Sequence, residues 1–400
     1  MQAAYFGIGY FAFSPVAGEV LRRKGYKWTI VMGLCLYSLG AILFWPVAKA
    51  ATPTANTQAV FGGMVICTAI IACGLSSLEV SANSYISVMP DVRVASFRLQ
   101  VSQSFNGVAS FCGPLIASKY FFAGANANNM TNVQWVYLAV AAMGVIVALA
   151  FVFTKLPEVA EADLELMYAN SEPKPLWKEV RAITGAIAQF LYVGAQVTIG
   201  AFFLFYTKDN AGIADTRGSQ LLSYALLMFT VGRFVGAALL SVFTAPVLLA
   251  IYASICAVIA ILIGTLHGTA GVAMIMLIMF FESIMYPTIF VLATHGLGRN
   301  TRRASAMVVM GVSGGAVFPP IQGAISDHWN TRVSFFLVVP CFLYIALWSV
   351  WVWNKDGRQT TTAGKVAVAN DTCLPVAVVG DEASIDDEKK NIDEVIVEKI

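Results

Sequence analysis

The stretch Leu75–Gly107 reads LSSLEVSANSYISVMPDVRVASFRLQVSQSFNG and places an acid and three amides in two successive apolar runs. In the first run Glu79 and Asn83 stand one helical turn apart, so they share a helix face. In the second run Gln103 and Asn106 stand one turn apart in the same way. An ionisable side chain inside a membrane span is costly and by default marks a substrate or proton path. The alternative is that these four side chains join neighbouring helices by hydrogen bonds.

Composition indicates a membrane protein built of helices. The chain has 400 residues, of which 58% are hydrophobic and 12% are charged, whereas soluble domains carry about 25% charged residues. The net charge of +2 and the lack of a basic cluster speak against nucleic acid as a partner. The sequence contains no Ser/His/Asp set, no metal-ligand spacing and no nucleotide-binding loop, so we predict neither an enzyme nor a bound metal or cofactor.

Hydropathy predicts an all-α polytopic protein, because runs of about 20 apolar residues are long enough to cross a bilayer. Eleven such runs occur, at 2–21, 28–47, 59–83, 98–122, 133–154, 181–206, 218–243, 246–266, 270–293, 302–326 and 331–353.

Basic residues predict the orientation of these spans. They cluster in alternate loops, which the positive-inside rule places in the cytoplasm. These residues are Arg22, Arg23, Lys24 and Lys27; Arg93 and Arg98; Lys155, Lys174, Lys178 and Arg181; and Arg299, Arg302 and Arg303. The same rule puts the C-terminus in the cytoplasm and, with an odd number of spans, Met1 on the outside. Because Met1 directly precedes an apolar run, we expect that the first helix of a six-plus-six arrangement is missing upstream.

The chain divides into two similar halves. In the first half Glu79 is followed 35 residues later by Pro114, and in the second Glu282 is followed 37 residues later by Pro319. Related halves are typical of transporters that bind substrate near the midplane between the repeats. The predicted parts are an N-terminal bundle of five spans (1–154), a cytoplasmic connector (155–180), a C-terminal bundle of six spans (181–354) and a disordered cytoplasmic tail (355–400).

Several motifs together resemble those of the fucose/galactose/glucose proton symporter family of the major facilitator superfamily, the fucose permease-like proteins. In the first half they are QAAYFGIGYFAFSPVAGEVLRRKGYK from Gln2, LYSLGAILFWPVA at 36–48, and GLSSLEVSANSY with FRLQVSQSFN around Glu79. In the second half they are FLYVGAQ at 190–196, VGRFVGAAL at 231–239, YPTIFVLATHGLG and GGAVFPPIQGAISD.

The resemblance implies the major facilitator fold, in which two helical bundles surround a central sugar cavity that opens alternately to each side. It also implies that Glu79, in the LE-x-x-AN motif, couples proton movement and binds sugar, and that Asn106, in the Q-[ST]-F-N motif, lines the sugar site. The other coupling carboxylate of that family lies on the first helix, so no residue of this chain is assigned to it.

Four residues of the second half are further candidates. Tyr192 and Gln196 stand one turn apart and either face the cavity or pack between helices. Glu282, in the middle of a span, is either a second titrating group or the ion-pair partner of Arg233. For Arg233 itself, which lies within the seventh run, we favour an ion pair or a gate on the cytoplasmic side over contact with sugar.

We therefore predict a transporter of a monosaccharide of the fucose/galactose/glucose class, working as a monomer by proton symport in the plasma membrane. A sugar needs acids and amides for its hydroxyl groups, and a carboxyl group in a low-dielectric site is readily protonated. Sugar bound to such a group links protonation to affinity. The alternatives are a transporter of another small organic solute and a sugar sensor that does not transport.

Overall fold

The computed structural model describes residues 1–50, 57–89, 94–116, 131–156 and 175–360. The long elements of these residues are all helices, which we number in chain order. The helices are α1 (Ala4–Ala50), α2 (Thr57–Val88), α3 (Ala95–Ile116), α4 (Thr131–Phe153), α5 (Val180–Ala211), α6 (Asp215–Val242), α7 (Ala245–Thr265), α8 (Gly268–Thr294), α9 (Thr301–His328) and α10 (Thr331–Lys355).

Helix α1 contains two of the predicted spans. Its backbone breaks at Gly25, where φ is 81° and ψ is −178°, a conformation that suits glycine because it has no Cβ. Residues 4–24 and 26–50 therefore form separate arms, and both arms pack on α2. With this division, helices of the described residues overlap all eleven predicted runs, and nine helices are long and apolar enough to cross a membrane. The prediction of an all-α, multi-pass membrane protein is confirmed.

Small residues bring the helices close together. A Cβ atom on Gly74 of α2 would lie 2.5 Å from the backbone nitrogen of Tyr37 and 2.7 Å from the carbonyl oxygen of Gly33, both in α1. On α6, a Cβ atom on Gly232 would lie 2.6 Å from the carbonyl oxygen of Phe280 in α8. Such backbone contact is how helices associate where lipid removes the hydrophobic driving force.

First-half helices (α1–α4) meet second-half helices (α5–α10) along two seams. Helix α3 packs on α6 and α8, and α1 packs on α9. One contact of the second seam lies at the end of the bundle that carries the basic loops, which we call the basic end. There Arg302 donates to the carbonyl oxygen of Arg22 at 3.5 Å, and its guanidinium lies 5.0 Å from the ring centre of Tyr26. A Cβ atom on Gly18 would clash with Ala306, so the halves are in direct contact at this end.

Four predictions about the chain's organisation stay predictions. Residues 157–174 of the connector and residues 361–400 of the tail lie outside the described residues. The expected helix upstream of Met1 and the four-part division of the chain are likewise not tested by the helices.

We predict that Gly74→Ala lowers the melting temperature in detergent, because the new methyl group meets backbone atoms that cannot move aside. Overpacking of this kind costs about 1–3 kcal/mol. Gly62→Ala on the same helix is the matched control, since a Cβ atom there meets nothing within 4 Å. The control should keep or raise the melting temperature, because alanine favours helices more than glycine does. Equal melting temperatures for the two variants would contradict the packing explanation.

Candidate functional site

Glu79 lies at the centre of a hydrogen-bonded group that joins the two halves. The hydroxyl of Tyr10 in α1 donates to Oε1 of Glu79 at 2.9 Å, and the hydroxyl of Tyr286 in α8 donates to Oε2. Tyr10 is buried, and its own hydroxyl lies 3.4 Å from that of Tyr5. Three tyrosine hydroxyls and one carboxyl group therefore form a continuous polar path in an apolar bundle.

Both residues of the Tyr10–Glu79 pair lie in π-helical turns. Tyr10 belongs to Ala4–Ala12, and Glu79 begins the turn Glu79–Asn83. Single π-turns inside α-helices occur frequently at functional sites. The donor and the acceptor of the Tyr10–Glu79 hydrogen bond thus both lie in π-helical segments, which makes this region a candidate functional site.

The predicted amides gather beside the second half. Nε2 of Gln103 donates to Oδ1 of Asn83 at 3.4 Å, which joins α2 to α3. Nη1 of Arg233 in α6 donates to Oδ1 of Asn106 at 3.2 Å and to the backbone oxygen of Gln103. Asn83 is buried and its Nδ2 has no partner in the described part of the chain, whereas Asn106 is exposed. Amide groups able to bond a ligand are therefore present in the turn that begins at Glu79, through Asn83, and on α3, through Asn106.

Arg233 is the centre of the seam between α3 and α6. Its side chain lies 4.7 Å above the ring of Phe229, and its backbone oxygen accepts a bond of 3.0 Å from Nε2 of Gln100. One turn away, Oγ1 of Thr230 donates to the backbone oxygen of Gly107 at 3.1 Å. Arg233 as a whole residue is only 6% exposed, yet the acceptors that its guanidinium bonds among the described residues are neutral oxygens of α3.

The Arg233–Glu282 ion pair that the sequence left open is not formed. Among the described residues, the ion pairs within 4.0 Å do not include these two side chains. Arg233 points instead to α3. The sequence offered an acid of the same half as one possible partner because charge pairing is the usual way to stabilise a buried cation, but three oxygens on α3 fill that role here.

Tyr192 and Gln196, on α5, take no part in the hydrogen bonds described above for Asn83, Gln103 and Asn106. Tyr192 is fully buried, and its hydroxyl donates to the backbone oxygen of Glu282 at 3.0 Å. Gln196 is half-buried and lies one turn after Tyr192 on α5. The structure thus brings Glu79, Asn83, Gln103 and Asn106 to the seam between the halves, while Tyr192 bonds the backbone of α8.

Comparison with known proteins decides the family. The model of the Major Facilitator Superfamily matches residues 1–317 of the chain. The chain belongs to the major facilitator superfamily. The glucose/galactose transporter of Brucella abortus biovar 1 (strain 9-941) is 31% identical over 358 residues, covering 88% of this chain and 84% of the relative. The L-fucose-proton symporter of Escherichia coli (strain K12) is 28% identical over 373 residues, covering 87% and 83%.

A solved structure agrees with this assignment. The major facilitator transporter FucP, in the outward conformation, superposes with a TM-score of 0.75 at 28% identity, covering 88% of this chain and 89% of FucP. The predicted fold and the resemblance to the fucose permease-like family are confirmed.

Sequence reasoning missed three residues of this major facilitator protein's seam: Tyr10, Tyr286 and Gln100. Tyr10 and Tyr286 lie in stretches that carried the resemblance, but helical periodicity gives each only a face and not a partner. Gln100 lies one turn before Gln103, so the amide pattern of α3 began earlier than predicted. The available signal was the polarity of these side chains within apolar runs.

We predict that Tyr286→Phe lowers the melting temperature in detergent, because it removes one of the two donors to the buried carboxyl group. The loss should be about 1–3 kcal/mol. Tyr5→Phe is the control, since the Tyr5 hydroxyl contacts Tyr10 rather than Glu79. In a Glu79→Ala background the effect of Tyr286→Phe should disappear, as a double-mutant cycle would reveal. An effect of the same size without the carboxyl group would contradict this assignment.

Proposed function

We propose that this protein transports a monosaccharide of the fucose/galactose/glucose class by proton symport, with the site exposed alternately to the two sides of the membrane. The observation that carries this proposal is the carboxyl group of Glu79, held by Tyr10 from one half and Tyr286 from the other. A group at this position responds both to a proton and to the relative position of the halves. The names of the relatives supply the class of substrate.

The polar groups at the seam suit a ligand rich in hydroxyls. Amide side chains offer both donors and acceptors, and Nδ2 of Asn83 and the exposed Asn106 have hydrogen-bonding capacity left over. We assign Glu79, Asn83, Gln103 and Asn106 to sugar binding. We assign Tyr192 and Gln196 only a minor part in sugar binding, because the Tyr192 hydroxyl already bonds the backbone of α8.

Proton coupling follows from the two states of Glu79. The ionised carboxylate accepts from both tyrosines, whereas the protonated group has one O–H donor to offer to a sugar hydroxyl. Sugar and proton therefore bind best together, which is the thermodynamic requirement for symport. For the cavity to open to the other side of the membrane, the bond between Glu79 and Tyr286 must break, since the two residues belong to different halves.

The conformation supports a direction. The halves are in contact at the basic end through Gly18, Ala306, Arg22 and Arg302. We assign this conformation to the outward-facing state, with the basic end and the C-terminus in the cytoplasm, following the positive-inside rule. We place the protein in the plasma membrane as a monomer, because one chain supplies both sides of the site.

We predict that Glu79→Gln abolishes accumulation of sugar against a gradient but retains exchange of labelled for unlabelled sugar. Glutamine keeps the shape and can still accept a hydrogen bond, but it cannot carry the proton. The measurement is uptake of labelled D-glucose, D-galactose and L-fucose by transporter-deficient cells, with counterflow in proteoliposomes.

Asp215→Asn is the control, because Asp215 is an exposed acid paired with Lys208 at 3.4 Å. Proton-driven accumulation by Glu79→Gln would contradict the role of this residue. Uptake of another solute by the wild-type chain, or sugar binding without uptake, would favour the other transporter class or the sensor.

We predict that Asn106→Ala weakens sugar binding more than it weakens the fold. A lost hydrogen bond to a desolvated hydroxyl costs about 1–3 kcal/mol, or roughly tenfold to a hundredfold in affinity. Because Asn106 is exposed and Arg233 keeps both oxygens of Gln103 as acceptors, the melting temperature should change little. Ser102→Ala, at an exposed position on the same helix, should change neither quantity. A large fall in melting temperature with unchanged affinity would make Asn106 a strut between α3 and α6.

A further inference from the structure

Glu282 is a buried acid without a hydrogen-bond donor. Its exposure is 0%, and neither carboxyl oxygen has a partner in the described part of the chain. It lies where α8 is interrupted, just before Ser283 and Ile284, because Pro287 has no N–H for the carbonyl group four residues earlier. An isolated carboxylate in such a place is very unfavourable, so the neutral acid is the form that fits this environment.

The groups around Glu282 come from the three helices packed against this part of α8. Helix α5 contributes Tyr192, α6 contributes Arg233, and α7 contributes Cys256. The Tyr192 hydroxyl is already bonded to a backbone oxygen, and Sγ of Cys256 lies 4.0 Å from the backbone oxygen of Ile278. Gly232, next to Arg233, packs against the backbone oxygen of Phe280 and the side chain of Ser283, so this part of α6 lies against the residues that flank Glu282. Arg233 is thus the cation of the described residues placed next to this carboxyl group.

Arg233 depends on the first half for its acceptors. Its Nη1 bonds the backbone oxygen and Oε1 of Gln103 and Oδ1 of Asn106, all on α3, and its Nε has no partner in the described part of the chain. Separation of α3 from α6 would leave a buried guanidinium without these oxygens. Glu79 and Glu282 are the acids near it in the described part of the chain, and Glu282 belongs to the same half, on a helix that packs against α6 at Gly232.

We propose that Glu282 is a second proton-binding group of the transport cycle, protonated while Arg233 bonds to α3 and ionised when α3 withdraws and Arg233 turns to Glu282. This proposal rests on the proposed function, because it uses the movement of the two halves. The step balances simply. The O–H bond of the Glu282 carboxyl group breaks, its proton passes to water entering from the opened basic end, and the carboxylate accepts hydrogen bonds from the Arg233 guanidinium.

The two acids then have distinct tasks. Glu79 has donors from both halves and exchanges its proton together with sugar. Glu282 has no hydrogen-bond donor in this state among the described residues. When it loses its proton, the guanidinium of Arg233 takes the proton's place as the positive partner. High pH therefore favours the state in which α3 has separated from α6, because Glu282 then loses its proton and the resulting carboxylate pairs with Arg233.

The test measures the opening of the α3–α6 seam without any sugar. Ser104 is fully buried on the same face of α3 as Gln100 and Gly107, and cysteine has nearly its shape. Ser104→Cys is made in an otherwise cysteine-free chain, purified in detergent and labelled with a maleimide. Thr216→Cys, at an exposed position in the same background, corrects for the pH dependence of the thiol itself. Both chains also carry Glu79→Gln, so that Glu79 does not titrate.

We expect the corrected labelling rate of Ser104→Cys to rise about tenfold between about pH 5.5 and about pH 8.5. Glu282→Gln should make this rate low and independent of pH, because the amide cannot ionise. Arg233→Gln should move the rise to higher pH by about one unit or more, because the ionised acid loses its cation. Where Glu282→Gln is not recovered folded, Glu282→Asp takes its place and should keep a pH-dependent rate.

Two results would overturn the proposal: a pH-dependent rate that persists in Glu282→Gln, or an unchanged midpoint in Arg233→Gln. A rate that is already independent of pH with Glu282 present would do the same. Because none of these measurements uses sugar, they are separate from the uptake assays. Failure of uptake with an intact pH response would reject the proposed substrate class and leave the role of Glu282 standing.

Discussion

A carboxyl group inside a membrane bundle must find hydrogen-bond donors, and the arrangement of this protein follows from how Glu79 finds them. Tyr10 approaches from the first arm of α1 and Tyr286 from α8, so α1, α2 and α8 must meet at one depth. Polar groups in a site of low dielectric interact strongly when paired and are costly when unpaired. The hydrogen bond that joins the halves at Glu79 is therefore strong, and its strength depends on whether the Glu79 carboxyl group carries a proton.

The seam between α3 and α6 uses a cation in place of an acid. Arg233 lies within the second half but takes its acceptors from Gln103 and Asn106 in the first. Neutral oxygens stabilise a guanidinium less than a carboxylate does, so this contact can be exchanged for another one. Glu79 and Glu282 both lie where their helices depart from α-helical geometry, one in a π-turn and the other at an interruption. Each half thus has an acid at an irregular point of a helix.

Sequence predicted the helices well, because they depend on local pattern. It also predicted which polar side chains of the first half share a helix face, while their role in binding stays a prediction. Apolar runs fix where helices lie in a membrane, and spacing by one turn placed Asn83 with Glu79 and Asn106 with Gln103. The partners across the seam were not predictable in this way. Nothing in the spacing of Tyr286 or Arg233 specifies which helix of the other half it contacts. For Tyr192 the sequence left open a cavity-facing and a packing position, and it did not indicate the partner, since the carbonyl group that Tyr192 bonds lies at the interruption of α8.

The π-turn Glu79–Asn83 has a consequence for how the chain is compared with other sequences. A π-turn holds one residue more than an α-helical turn, so the side chains that follow are rotated by about 100° relative to an unbroken α-helix. A helical wheel drawn continuously from Thr57 to Val88 assigns residues beyond the turn to the wrong side. Removal of one residue from 79–83 would restore ordinary helix geometry while turning Asn83 away from Gln103. A single-residue gap in a sequence alignment at this point therefore signals that the contact between Asn83 and Gln103 is lost, even though the helix itself would be more regular.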